Sequence, residues 1–270
     1  MSWEFWKMEG GGNDFVVIDN REDIILEEEK SLLAKKVLRR KFGVGGDGLL
    51  LVEKSTKLPF KMRIFNPDGS EPEMCGNGAR CIARFSYLKG IAPSPMRFET
   101  RAGIIEAEII GEEVKILLPS PAFLKEDVSL RIEGKTYSLT HVHTGVPHAV
   151  LEVSDLEKVP VNSLGRTIRF HPLFQPEGTN VDFVKFMDEH SLAMRVYERG
   201  VEEETLCCGT GAVACAYAGY YKGVLQSPVR VHTRGGEVLT VYMEEGKIYL
   251  QGNARIIFRG EWEEKDEKKN

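Results

Sequence analysis

Apolar and polar residues alternate in short runs along much of this chain. Gly103–Ile110 (GIIEAEII) and the KILL run that follows place an apolar side chain at nearly every second position, as do EVLTVYM and KIYLQ near the other end. A period of two puts those side chains on one face of a strand. The Gly-Glu or Glu-Gly pairs between neighbouring runs predict tight turns. Arg63–Asn66 and Arg195–Glu198 predict further strands, and Gly12–Ile18 and Val146–Leu151 do so more weakly. Glu27–Phe42 carries apolar residues at helical spacing and stops at Gly43, which predicts an amphipathic helix. Gly78–Lys89 and Gly211–Lys222 are rich in small residues and largely apolar all round, which predicts two buried helices. The pattern describes short strands around a central helix, twice.

The two buried helices belong to a repeat. Aligned without a gap, Cys75–Gly103 and Cys208–Gly236 match at 14 of 29 positions. The shared residues include a Cys-Gly-x-Gly-Ala opening, a Tyr-x-Lys-Gly close and a later Thr-Arg-x-Gly. Pro119 and Pro121 mark the linker between the copies. The expected fold class is therefore α/β (α+β), with two pseudo-symmetric halves, each a curved sheet of short strands around a helix. The halves are residues 1–119, completed by a C-terminal strand at about 254–264, and residues 120–253. The final EWEEKDEKKN reads as a solvated, frayed end.

Composition narrows the function. At 270 residues with 42% hydrophobic and 29% charged positions, the chain has a soluble globular make-up with room for two cores. A net charge of −5 offers no general attraction for nucleic acid or an anionic membrane. No basic n-region with an apolar run opens the chain, and no apolar stretch reaches the roughly 20 residues that span a bilayer. A cytoplasmic location is expected. Five cysteines are an odd count, which argues for free thiols in a reducing compartment. Neither the Cys75/Cys81 nor the Cys207/Cys208 spacing is that of a zinc knuckle, so no metal is expected.

Cys75 and Cys208 each precede a helix whose first turn is glycine-rich. Free N–H groups there point outward with the positive end of the dipole. Such a turn can hold a carboxylate, and its field is expected to favour thiolate over thiol. Two thiols in register make sense as one acid and one base acting on a single carbon, the logic of a racemase or epimerase. Pyridoxal phosphate is the usual electron sink for removal of an amino-acid α-proton. Paired thiols explain inversion without it. Cys81, Cys207 and Cys215 lack the repeated context and read as packing residues. The glycine run Gly43–Gly48 lacks both the spacing of a dinucleotide fingerprint and a Walker lysine, and reads as a turn near the substrate.

Five spaced motifs carry a specific resemblance. Met8–Phe15 (MEGGGNDF), Arg63-x-x-Asn66-x-Asp68-Gly-Ser-Glu71, Met74–Cys81 (MCGNGARC), Gly178-Thr-Asn180-Val and Glu198-Arg199-Gly200 leading to Cys208-Gly-Thr-Gly-Ala together resemble the diaminopimelate epimerases. The resemblance covers nearly the whole chain. It implies interconversion of LL- and meso-2,6-diaminopimelate without cofactor or metal, on the way to lysine and peptidoglycan. A small amino-acid substrate is the implied partner, and the family often forms homodimers. Position by position, Cys75 and Cys208 match the two bases. Gly76, Asn77, Gly209 and Thr210 match the clamps on the reacting end. Asn13, Asn66, Asn180, Glu198 and Arg199 match binding residues, and His148 and Glu198 match groups that tune the thiols.

Two departures bear on specificity. Where the family usually has Asn-Pro-His, this chain has Val146-Pro147-His148, and valine cannot hydrogen-bond the distal end of a substrate. The loop from Glu198 to Cys208 is one residue longer than the commonest version. These keep open a broader two-thiol racemase acting on lysine or another amino acid. A non-catalytic thiol or metal-binding module is the alternative from another class.

Overall fold

The computed structural model describes residues Ser2–Glu263. The chain divides into two compact units: residues up to Ile116 with those from Asn253 onward, and Leu117–Gly252. The first half contains β1 (Ser2–Gly10), β2 (Asn13–Asp19), α1 (Lys30–Val37), β3 (Gly48–Glu53) and β4 (Lys61–Phe65). It continues through α2 (Gly76–Leu88), β5 (Met96–Thr100), β6 (Gly103–Ile110) and β7 (Glu113–Leu118). The second half contains β8 (Ala122–Ile132), β9 (Lys135–His143), β10 (Pro147–Glu152), α3 (Val161–Arg169), β11 (Asn180–Asp188) and β12 (Ser191–Glu198). It closes with β13 (Glu203–Thr205), α4 (Gly209–Tyr221), β14 (Val229–His232), β15 (Val238–Glu244) and β16 (Lys247–Asn253), before β17 (Arg255–Glu263).

The repeat extends to strand pairing. In the order β17-β1-β2-β3-β4-β5-β6-β7 the β2–β3 and β4–β5 neighbours are parallel and all the others antiparallel. The order β8-β9-β10-β11-β12-β14-β15-β16 has the same sense at every step. The C-terminal strand β17 thus stands to β1 as β8 stands to β9. The charged tail is not frayed along its whole length: β17 runs to Glu263, and Trp262 stacks on Trp3 at 5.9 Å. Residues 264–270 of that tail lie outside the described residues.

Each sheet curves around one helix. In the first unit α2 packs against β1, β2, β3, β4 and β6, and in the second α4 packs against β9, β10, β11, β12, β14 and β15. A helix enclosed by strands has no polar face to present, which accounts for the small apolar residues of α4 and its fully buried Val213, Ala214 and Cys215. Both helices begin two residues earlier than the pattern predicts, so Cys75 and Cys208 are themselves the N-caps. The other sheet face of the first unit is covered by α1, whose Leu33, Ala34 and Val37 join Phe5, Ile18, Leu49 and Phe65 in one core. In the second unit Val161 and Ile168 of α3 likewise join Leu139, Leu151, Phe183 and Tyr197. With both faces covered, β3 is buried at every residue, so its sequence GLLLVE shows no alternation.

Some expectations shift. The predicted Glu27–Phe42 helix is a 3-10 turn at Glu27–Glu29 followed by α1, which ends at Val37. The Gly45 N–H donates to the Val37 carbonyl at 2.9 Å and the Gly46 N–H to that of Leu38 at 3.3 Å, so the chain folds back on itself there. The β8–β9 hairpin lacks a clear sequence period because register shifts interrupt it on either side of Lys125.

Five charges are gathered around β4 of the first unit. Arg63 on β4 pairs with Glu71, and also reaches Glu27 at 2.9 Å and Glu53 at 3.4 Å. Lys30 joins Glu27 at 2.6 Å and Glu53 at 2.5 Å. The hydrogen bonds from Arg63 and then Lys30 hold the Glu27 carboxyl down at about 2. Removing the guanidinium strands nearly buried carboxylates, so Arg63→Met is expected to cost about 3 kcal/mol in urea denaturation. A loss below about 1 kcal/mol would place the cluster among ordinary surface pairs.

In the second unit, burial and then the neighbouring His148 and His143 lower the His141 pKa to about 4. Its Nε2 is buried with no hydrogen-bond partner, and its ring meets Phe174 edge-on at 4.9 Å. The unfolded chain binds this proton near 6.5, whereas the folded chain resists it until about pH 4. Stability is therefore expected to fall as pH drops through that window. His141→Gln should flatten the slope of unfolding free energy against pH there.

Candidate active site

In the first unit the predicted residues converge on the start of α2. The β1–β2 turn takes Gly11 and Gly12 through φ of +66° and +77°, which glycine adopts without strain. A Cβ on Gly11 would lie 2.7 Å from the Asn77 amide, so the glycine also permits a close approach. Asn77 Nδ2 donates to Asn13 Oδ1 at 2.8 Å, and Asn13 Nδ2 donates to Asp47 Oδ2 at 3.1 Å. The Asp14 N–H donates to the same Asp47 oxygen at 3.1 Å. The Gly43–Gly48 loop therefore serves to present Asp47 to Asn13, a role the sequence reading did not find. Cys75 is half-buried and its Sγ accepts the Gly78 N–H at 3.5 Å. Gly76 has open space beside it, with only Ile116 Cδ1 within 4 Å of where a Cβ would stand.

Asn66 stands outside this network. Its Nδ2 donates to Ser70 Oγ at 2.9 Å, and its carbonyl accepts the Gly69 N–H at 2.9 Å, both within its own turn. Arg63 and Glu71 grip that turn from either end, which gives physical content to their place in the motif.

In the second unit the residues converge on the start of α4. His148 on β10 is fully buried. Its Nδ1 lies 2.7 Å from Asp182 Oδ2, and its Nε2 lies 3.0 Å from Thr210 Oγ1. Thr210 Oγ1 is in turn 3.4 Å from Cys208 Sγ. Asn180 Oδ1 accepts the Arg199 N–H at 2.7 Å, and its Nδ2 faces His148 Nε2 at 3.4 Å. The Arg199 guanidinium donates to the Glu177 carbonyl at 3.1 Å. Glu198 closes β12 and accepts the Thr205 hydroxyl at 2.9 Å; burial pushes its pKa up. Asp182 is an unpredicted member of the group. It sits in a strand that reads simply as buried, and no local motif marks it.

Cys208 is not activated in the expected way. Burial, and then the Glu198 and Asp182 carboxyls, push the Cys208 pKa well above 9. The Thr210 hydroxyl and the Gly211 N–H pull it down, but less. The expectation that the helix terminus makes Cys208 a ready thiolate is thus corrected: desolvation and the two carboxyls outweigh the hydrogen bonds at the helix start. Cys81, Cys207 and Cys215 are buried, in keeping with packing roles. Among the described residues, no group of three or more His, Cys, Asp or Glu side chains is arranged to hold a metal, and no helix is long and apolar enough to cross a membrane.

Comparison with known proteins identifies the family. The chain matches the family described as diaminopimelate epimerase over residues 5–121 and 140–257. It is 47% identical to a diaminopimelate epimerase of Aquifex aeolicus, covering 95% of this chain and 96% of that one. It is 45% identical to one of Caldanaerobacter subterraneus, covering 96% and 99%. Among solved structures, a phenazine-biosynthesis protein of the PhzF family from Bacillus anthracis superposes with a TM-score of 0.76 at 17% identity, covering 98% of this chain and all of that one. A probable proline racemase from Agrobacterium radiobacter superposes with a TM-score of 0.70 at 15% identity, covering 98% and 94%. At those identities the structural likeness speaks for the fold alone. With matched segments in both halves and close relatives along nearly its full length, this chain belongs to the diaminopimelate epimerase family.

Proposed function

We propose that this protein interconverts LL- and meso-2,6-diaminopimelate, with Cys75 and Cys208 as the two acid–base groups and no cofactor. The observation that carries the reading is the recurrence of one device: a cysteine N-capping a buried, glycine-led helix in each unit of an epimerase-family chain. The N–H groups of Gly76–Asn77 and Gly209–Thr210 are the donors for the α-carboxylate, where charge grows as the α-proton leaves. Asn13, Asn66, Asn180, Glu198 and Arg199 are the substrate-binding groups. In one direction Cys75 takes the proton and Cys208, held as a thiol, returns one to the opposite face. In the other direction the roles exchange. Each turnover leaves the thiol–thiolate pair inverted and the proton count unchanged.

Val146 supports a second reading, a broader racemase. Its half-buried side chain offers no hydrogen bond where the family usually has an amide, so the distal carboxylate and ammonium are less strictly demanded.

Reduced protein would be incubated with LL-diaminopimelate, and separately with L-lysine, in D2O without added cofactor. Loss of the α-proton signal with inversion on diaminopimelate alone is the expected result. Inversion of lysine at a comparable rate would move the assignment to the broader racemase. Exchange on neither, with stoichiometric zinc in the purified protein, would favour a binding module instead. Cys75→Ala and Cys208→Ala should each lower the rate by about 100- to 10,000-fold, the range that a positioned acid or base contributes. Cys207→Ala should stay near wild type. Epimerisation that survives either of the first two changes would overturn the two-base assignment.

A further inference from the structure

An epimerase must run in both directions, so Cys208 has to act as a base in one of them. Its surroundings oppose this: the thiol is buried, and the Glu198 and Asp182 carboxyls stand nearby. The proton it sheds needs an acceptor other than bulk water. Among the described residues, a hydrogen-bonded path built from side chains throughout runs from Cys208 Sγ to Thr210 Oγ1, His148 Nε2 and Asp182 Oδ2 through contacts of 3.4, 3.0 and 2.7 Å.

The direction of that path is set by a separate contact. Asn180 Oδ1 is committed to the Arg199 N–H at 2.7 Å, which turns its amide nitrogen toward His148 Nε2 at 3.4 Å. That nitrogen donates to the Pro147 carbonyl at 3.3 Å and offers Nε2 a donor, never an acceptor, while Nδ1 has the Asp182 oxygen at 2.7 Å to donate to. The imidazole proton therefore resides on Nδ1, facing Asp182. The Thr210 hydroxyl then donates to Nε2 and leaves its own oxygen open to the Cys208 S–H. Each donor in the chain meets an acceptor.

The shape of α4 is adapted to this carboxyl. A Cβ on Gly211 would stand 2.4 Å from Asp182 Oδ1, so the first turn of the helix closes over the group only because residue 211 has no side chain. Asp182 Oδ1 is buried there with no hydrogen-bond partner, a costly state that packing alone does not explain. The other ionisable groups facing His148 and Asp182 are Glu198 on β12, His141 on β9, and Cys208 and Cys215 on α4.

We propose that Asp182 is a positioning residue that fixes His148 as the terminal acceptor of a proton relay from Cys208 through the Thr210 hydroxyl. The inference rests on the epimerase reading of the site. In the step, the Cys208 S–H bond breaks as Thr210 Oγ1 takes that proton. The Thr210 O–H bond breaks as Nε2 takes the second. The products are the Cys208 thiolate and an imidazolium whose Nδ1–H still faces Asp182. The reverse transfer restores the thiol. Asp182→Asn keeps the volume but allows an amide N–H to donate to Nδ1. That moves the ring proton to Nε2 and reverses the chain.

The test combines nitrogen-15 NMR of histidine-labelled protein, with His148 assigned from the signal lost in His148→Gln, and steady-state kinetics on diaminopimelate. Wild-type His148 should carry its proton on Nδ1, and Asp182→Asn should move it to Nε2. The same change should lower kcat by roughly 100- to 10,000-fold, the range for losing a correctly oriented imidazole, while KM stays within about 3-fold. Thr210→Val should lose about 100-fold in kcat, and Thr210→Ser should recover to within about 5-fold of wild type. If Asp182→Asn does not fold, the Thr210 pair and the wild-type tautomer still decide the matter. Wild-type His148 protonated on Nε2, kcat of Asp182→Asn within about 2-fold of wild type, or equal loss in Thr210→Val and Thr210→Ser would overturn the relay. Failure of the wild type to epimerise diaminopimelate would instead overturn the functional reading, since the tautomer is read without substrate.

Discussion

Burial of a helix terminus inside a curved sheet is the constraint on which the remainder of this structure depends. A helix enclosed by strands is narrow and largely apolar, with the buried Arg80 of α2 as an exception, and its first turn leaves N–H groups unpaired by the helix itself. In α2 and α4 those N–H groups lie directly after a cysteine, and glycine keeps the backbone open there. The arrangement concentrates donors and a thiol at one spot. The same enclosure removes water, which strengthens every local charge and raises the cost of making a thiolate.

The two units answer that cost differently. Around α2 the neighbours of the cysteine turn are the amides of Asn77 and Asn13, with the Asp47 carboxyl one contact further out. Around α4 they are ionisable: Glu198, Asp182 and His148 surround Cys208, and the carboxyls push the thiol up. A duplicated backbone thus carries two unlike electrostatic environments. In a two-base reaction the thiols cannot both start as acids, so such asymmetry supplies a resting order that the shared fold does not.

The charged cluster of Arg63, Glu27, Glu53, Glu71 and Lys30 illustrates how the frame supports the site at a distance. It ties β4, the turn after it and the start of α1 together. Asn66 lies within that turn, so its position depends on a guanidinium that touches no reacting group.

The duplication, the two cysteines and the buried helices were legible in the chain itself, because a repeat in register and an apolar helix are local properties of residue order. The strands with one covered face were legible for the same reason. α1 ended early because its last carbonyls are taken by Gly45 and Gly46, a long-way-round contact that periodicity does not encode. Asn13, Asn77, His148 and Glu198 could be named by resemblance, but their partners could not. Asp47 and Asp182 sit in a loop and a strand with no local mark, and only folding brings them to Asn13 and His148. The state of Cys208 was read wrongly from sequence, since a helix terminus can be seen in residue order whereas desolvation and two approaching carboxyls cannot. Sequence alone determined the repeat and the cysteines that open its copies, through a pattern written twice. Tertiary structure alone decided their protonation and their partners, because those depend on burial and on groups far apart in the chain.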